Sequence, residues 1–142
     1  TSGSARVGLF AAVKAPINDA DHAYATGEWD AGGGVTFGGP LGSFYGRGEA
    51  AWWMLGDPPE GELKDPWVLR LELGRSLGRD WWAAVAADAA GETVPGTGSA
   101  AGIEAIARRH LGRNTGVGAV VFVGLTDAAP DLYVAFEWWL GG

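Results

Sequence analysis

Leu132, Val134, Phe136, Trp138 and Leu140 recur at every second position near the end of the sequence, with Tyr133, Ala135, Glu137 and Trp139 between them. A period of two belongs to a β-strand, and this strand is wholly apolar on one face and mixed on the other. Such a strand fits the wall of a soluble barrel with the apolar face inward, or of a membrane barrel with that face outward. Its final position predicts that it pairs back onto the first strand and closes the sheet.

Seven earlier segments repeat the alternation. The first, 5–15, sets Val7, Leu9, Ala11 and Val13 against Arg6, Gly8, Phe10, Ala12 and Lys14. The second, 29–38, sets Val35 and Phe37 against Asp30 and Thr36, and 39–42 reads as a compact turn into the third, 43–55. That strand sets Phe44, Trp52 and Met54 against Tyr45, Arg47, Glu49 and Trp53. The fourth opposes Trp67, Leu69, Leu71 and Leu73 to Val68, Arg70 and Glu72, and 74–80 connects it to the fifth. The fifth opposes Trp81, Ala83, Val85 and Ala87 to Trp82, Ala84, Ala86 and Asp88. In the sixth, Ile103, Ala105 and Ala107 oppose Glu104, Ile106, Arg108 and His110; in the seventh, Val117, Val121 and Val123 oppose Gly118, Val120 and Phe122. Long connections (17–28, 56–66, 91–99 and 126–130) alternate with short ones, as in bacterial barrels with external loops and tight periplasmic turns.

The composition of the mixed face decides between the two barrels. It carries Arg6, Lys14, Arg47, Arg70 and Arg108 against Asp30, Glu49, Glu72, Asp88, Glu104 and Glu137, diluted with Gly and Ala. It also carries the rings of Phe10, Tyr45, Trp53, Trp82, Phe122, Tyr133 and Trp139. Near-balanced charge among small residues and rings suits a narrow lumen, where enclosed charges must be paired. A soluble surface would be dressed with lysine, whereas only Lys14 and Lys64 occur among 142 residues that are 47 % hydrophobic. The reading is therefore all-β: one antiparallel up-and-down transmembrane β-barrel domain of roughly eight strands, with apolar faces on the lipid bilayer. A soluble lipocalin-like barrel holding an apolar ligand is the alternative. In the membrane reading Trp29, Trp52 and Trp67 form an external aromatic girdle, and Phe37, Phe44, Trp81 and Trp138 a periplasmic one. Arg47 and Arg70 should lie near Glu49 and Glu72, and Arg6 near Glu137.

Other classes find little support. A net charge of −7 argues against nucleic acid as a partner, and without cysteine no disulfide or thiolate metal site can form. No apolar run is long enough for a membrane helix. Residues 1–4 show no signal peptide, which is expected of a mature exported chain with both termini in the periplasm of an outer-membrane protein. Asn18, Asp19, Asp21 and His22 lack a calcium-loop spacing and read as a solvated loop. No nucleophile motif surrounds Ser76 or Ser99, and Ser99 should lie at the opposite end of the barrel from His110, so neither catalysis nor a cofactor is expected.

The stretch Val7-Gly8-Leu9-Phe10-Ala11-Ala12-Val13-Lys14-Ala15-Pro16, followed by Gly27-Glu28-Trp29-Asp30-Ala31-Gly32-Gly33-Gly34, resembles outer-membrane barrels of the family named for the MetA pathway of phenol degradation. A related barrel family of unknown function is similar too. Trp53-Met54-Leu55-Gly56-Asp57 resembles their next rim, and Leu125-Thr126-Asp127-Ala128-Ala129-Pro130-Asp131 the loop before their closing strand. The resemblance implies an outer-membrane protein that passes small hydrophobic molecules. A conduit for small hydrophobic molecules is therefore the expected function, and the alternative, to which strand count and the crowded interior point, is a structural or interaction barrel of the small OmpA type with a plugged lumen.

Overall fold

A computed structural model describes residues 4–16, 28–58 and 61–140. They form eight strands: β1 (Arg6–Lys14), β2 (Asp30–Leu41), β3 (Phe44–Met54), β4 (Trp67–Leu77), β5 (Trp81–Ala90), β6 (Ala100–His110), β7 (Thr115–Gly124) and β8 (Leu132–Leu140). Strands adjacent in sequence are adjacent in one antiparallel sheet, in the order β1 to β8. The described residues contain no helix. The up-and-down course puts connections 42–43, 78–80 and 111–114 at one end, and 55–66, 91–99 and 125–131 at the other.

The sheet is open, which corrects the expected closure. β1 and β8 are its two edges, and contacts between strands join consecutive strands alone. Alternation tells which face a strand buries. It does not tell how strongly the sheet coils, and coiling decides whether the edges meet.

Two connections are shorter than the sequence predicts. β2 runs on through Pro40, which pairs with Tyr45, and Leu41 pairs with Phe44, so the turn is Gly42-Ser43 rather than 39–42. Gly42 takes φ 64°, a left-handed conformation that glycine adopts without strain. Pro40 fits inside the strand because β1 begins at the pair Arg6–Gly38, leaving no neighbour on that side to need the missing N–H. Likewise β4 continues through Leu77, paired with Trp81, and the expected 74–80 connection shrinks to 78–80.

The two faces differ sharply in exposure. Val7, Leu9, Phe136 and Trp138 are 74–84 % exposed, and the alternate positions of every other strand add large apolar side chains to the same face. On the opposite face Ala51, Ala84, Ala86, Ile106, Val120 and Phe122 are buried, together with the carboxylate of Glu104. With no second layer, those side chains are buried by the curl of the sheet and by one another. The apolar cluster Ala84, Ala86, Ile106 and Val120, flanked by Trp82 and Ala135, anchors this concave face.

Candidate functional site

The concave face is held together by rings laid over glycines and by ion pairs that bridge alternate strands. The ring of Trp139 lies over Gly116, its register partner on β7, and that of Trp53 lies over Gly32 on β2. Trp82 covers Gly74 and Phe122 covers Gly102 in the same manner. A side chain at any of these glycines would occupy the space of the ring, so glycine here is set by close approach. This pairing lays four of the expected interior rings over glycines of the strands. Phe122 also stacks on Tyr133, with centroids 4.8 Å apart and planes 9° from parallel. Phe10 projects on the same side of β1, half-buried.

Arg70 is the hub of the charges. Its guanidinium donates to Asp88 on β5 and to Glu104 on β6, each at 2.6 Å, and lies 3.6 Å from Glu72. The Tyr133 hydroxyl donates to Glu104 from β8 at 3.0 Å. Arg108 makes a bidentate pair with Glu137 at 2.7 and 3.0 Å. In register, Arg108 faces Gly118 and Gly118 faces Glu137, so the pair crosses β7 where that strand has no side chain. A Cβ at Gly118 would lie 3.0 Å from both Arg108 Cγ and Glu137 Oε2. One arginine thus couples β4, β5 and β6, and a second couples β6 to β8.

Sequence reasoning placed Arg47 and Arg70 near Glu49 and Glu72, as the register and the Arg70–Glu72 contact have them, but did not foresee the partners of Arg70 on β5 and β6. Arg47 is indeed opposite Glu72, and Glu49 opposite Arg70. Arg70 nevertheless turns toward β5 and β6, and neither Arg47 nor Glu49 makes an ion pair among the described residues. The expected approach of Arg6 to Glu137 is corrected: Glu137 belongs to Arg108, and β1 does not adjoin β8. Nearest-strand logic overlooks that an arginine reaches across a neighbouring strand when that strand offers glycine or alanine. The spacing Arg108, Gly118, Glu137 is visible in the sequence once the register is known. Lys14 and Asp30, the last pair at the long-loop end of β1 and β2, form an ion pair.

Below the Arg70 cluster, toward the short turns, the concave face opens into a cavity of about 730 Å³. Tyr45, Trp82, Trp138 and Trp139 supply its rings, Trp138 from the edge strand β8, and Arg47, Glu72, Arg108, His110 and Glu137 its polar groups. His110 meets Trp139 edge-on, with centroids 5.7 Å apart. Ser99 lies just before β6 and His110 at its far end, so the two cannot meet.

On the convex face, Trp52 and Trp67 are register partners at the long-loop end, with Trp29 in the chain just before β2. Phe44, Trp81 and Trp138 lie beside the short-turn end. Phe37 is four residues inside the end of β2, its ring over Gly48, because the strand outruns its expected turn. Two residues on this face had no assigned role in the sequence: Arg75 lies over the Phe44 ring at 5.4 Å, and Arg109 over Trp81 at 5.5 Å. Arg75 escaped notice because it fell in an expected connection; an arginine in step with apolar positions beside an aromatic is the signal. Residues 18–22, weighed as a cation loop, lie outside the described residues.

The long connections are pinned by their own carboxylates. Asp57 accepts the Leu63 N–H, Asp65 that of Leu55, and Asp30 that of Gly56. Lys64 pairs with Glu92 and donates its backbone N–H to Thr93 at 2.8 Å, joining two of these connections. The Lys64 ammonium, helped by the Gly96 N–H, holds the Glu92 carboxyl below its ordinary range.

Compared with known proteins, the chain matches no family model, no curated protein and no solved structure.

Proposed function

We propose that this chain is an outer-membrane β-barrel protein whose convex apolar face meets lipid and whose concave face fills the interior as a structural or interaction barrel. The observation that carries this reading is the inversion of burial. Leu71 is 59 % exposed and Phe136 84 %, whereas Glu104 is only 8 % exposed. Water would leave such an apolar surface uncovered; hydrocarbon satisfies it, and the enclosed charges meet one another instead. Insertion also requires the backbone edges of β1 and β8 to be paired, since an open edge in hydrocarbon leaves N–H and C=O groups unsatisfied. The rings and the Arg70 cluster crowd the middle of the interior, which favours a filled barrel over an open channel.

The test is reversible folding into phosphatidylcholine bilayers. Leu71→Arg should cost about 2–4 kcal/mol there, the penalty of an arginine facing lipid near the midplane. A wild-type chain that is folded, monomeric and all-β without detergent or lipid would overturn the proposal and favour a soluble barrel.

A second reading, a conduit for small apolar molecules, is favoured by the cavity lined by Tyr45, Trp82 and Trp139. Liposomes carrying the folded protein should then admit toluene-sized aromatics faster than empty liposomes. Equal entry, with no single-channel current, leaves the filled barrel.

A further inference from the structure

We propose that the short-turn end of the convex face binds the phosphates of anionic phospholipids through Arg75 and Arg109, supported by Arg79 and Arg113. The inference rests on the membrane reading and extends it to one class of lipid.

Arg75 on β4 and Arg109 on β6 stand on the apolar face, flanking Trp81 and Ala83 of β5. Both are exposed, and among the described residues neither forms an ion pair with a carboxylate. An arginine on a lipid-facing surface is costly unless its charge lies at headgroup depth and finds an anion there. Both guanidinia lie over rings, at 5.4 Å from Phe44 and 5.5 Å from Trp81. A cation–π contact consumes none of the guanidinium's N–H donors, so both groups keep donors for a phosphate, which arginine takes in bidentate fashion.

The surrounding charge agrees. Arg79 and Arg113 occupy two of the adjoining turns and are exposed, and Asp80 is the one carboxylate in the three turns. At the opposite end, Asp57, Glu62, Asp65, Glu92, Asp127 and Asp131 greatly outnumber Lys64 in the described connections. Among the described residues the molecule is thus polarised along its strands, with its arginine-rich rim at the short turns and its carboxylates concentrated at the other end.

The experiment places wild type and Arg75→Gln/Arg109→Gln in phosphatidylcholine bilayers containing trace spin-labelled phosphatidylglycerol or phosphatidylcholine. Relative association is read from the motionally restricted fraction. Wild type should prefer phosphatidylglycerol by on the order of five-fold per engaged arginine, falling to near parity in high salt. The double variant should lose the preference, Arg75→Lys/Arg109→Lys should retain part of it, and Lys14→Gln/Lys64→Gln should keep it whole. If the glutamine variant fails to insert, the salt dependence of wild type decides the matter. Insertion of wild type without lipid preference, or with a preference that survives salt or the glutamine substitutions, overturns this inference alone. Failure of wild type to insert in phosphatidylcholine overturns the membrane reading and this inference with it.

Discussion

Gly118 is a window through which two charged side chains meet. Filling it should separate them: Gly118→Val puts carbon atoms into the space between Arg108 and Glu137 and should cost about 1–3 kcal/mol by overpacking. A double-mutant cycle on Arg108→Ala and Glu137→Ala should show a coupling of about 0.5–3 kcal/mol in the wild-type background, collapsing toward zero in Gly118→Val. Undiminished coupling in the valine background would show that the pair does not need the gap. Both charges were legible in the sequence as members of the mixed face, because alternation assigns faces residue by residue. Their partnership was not, because it depends on which small residue stands between them and hence on register across two interfaces. The same holds for Arg70, whose strongest partners come from β5 and β6 rather than from the facing β3.

The strands themselves were the most legible part of the molecule. All eight were expected, and the alternation of exposed and enclosed residues along β6 follows the sequence pattern through Gly102, Ile103, Glu104, Ala105, Ile106 and Ala107. The ends were less so, because Gly39, Pro40 and Gly74 carry the signals of turns yet lie within strands. Pro40 is accommodated beyond the end of its neighbour, and Gly74 lies under Trp82; both reasons are tertiary. The connections carry a pH dependence of their own. Because Lys64 lowers the Glu92 carboxyl below its unfolded value, the latch contributes above the ordinary carboxylate range and is lost as pH falls through the lowered folded value. Amide exchange at Lys64 and Gly96 should therefore quicken, relative to strand amides, on acidification through that window. Glu92→Gln should already be fast at neutral pH and flat across it; an equal pH response in that variant would remove the latch.

At the level of the whole molecule, the proposed membrane reading requires the open sheet to pair its two edges, because hydrocarbon leaves unpaired backbone groups unsatisfied. If the edges meet within one chain in bilayers, cysteines introduced on the mixed face as Ala12→Cys and Ala135→Cys should be joined by a short bifunctional reagent into an internally linked monomer. No native cysteine competes. Cross-linked dimers would mean that the edges of two copies meet; no product at all would count against closure. The sequence could announce strands and faces but not this, since closure depends on the cumulative coil of the sheet rather than on any residue pattern. The division of the faces has an optical consequence. Trp29, Trp52, Trp67, Trp81 and Trp138 belong to the convex side or its rim, and Trp53, Trp82 and Trp139 to the concave side. If the convex face meets lipid as proposed, the eight indoles are two sets of chromophores, those of the convex side within reach of a brominated acyl chain and Trp53, Trp82 and Trp139 shielded from it, and the residual emission of a quenched sample reports which way the sheet faces.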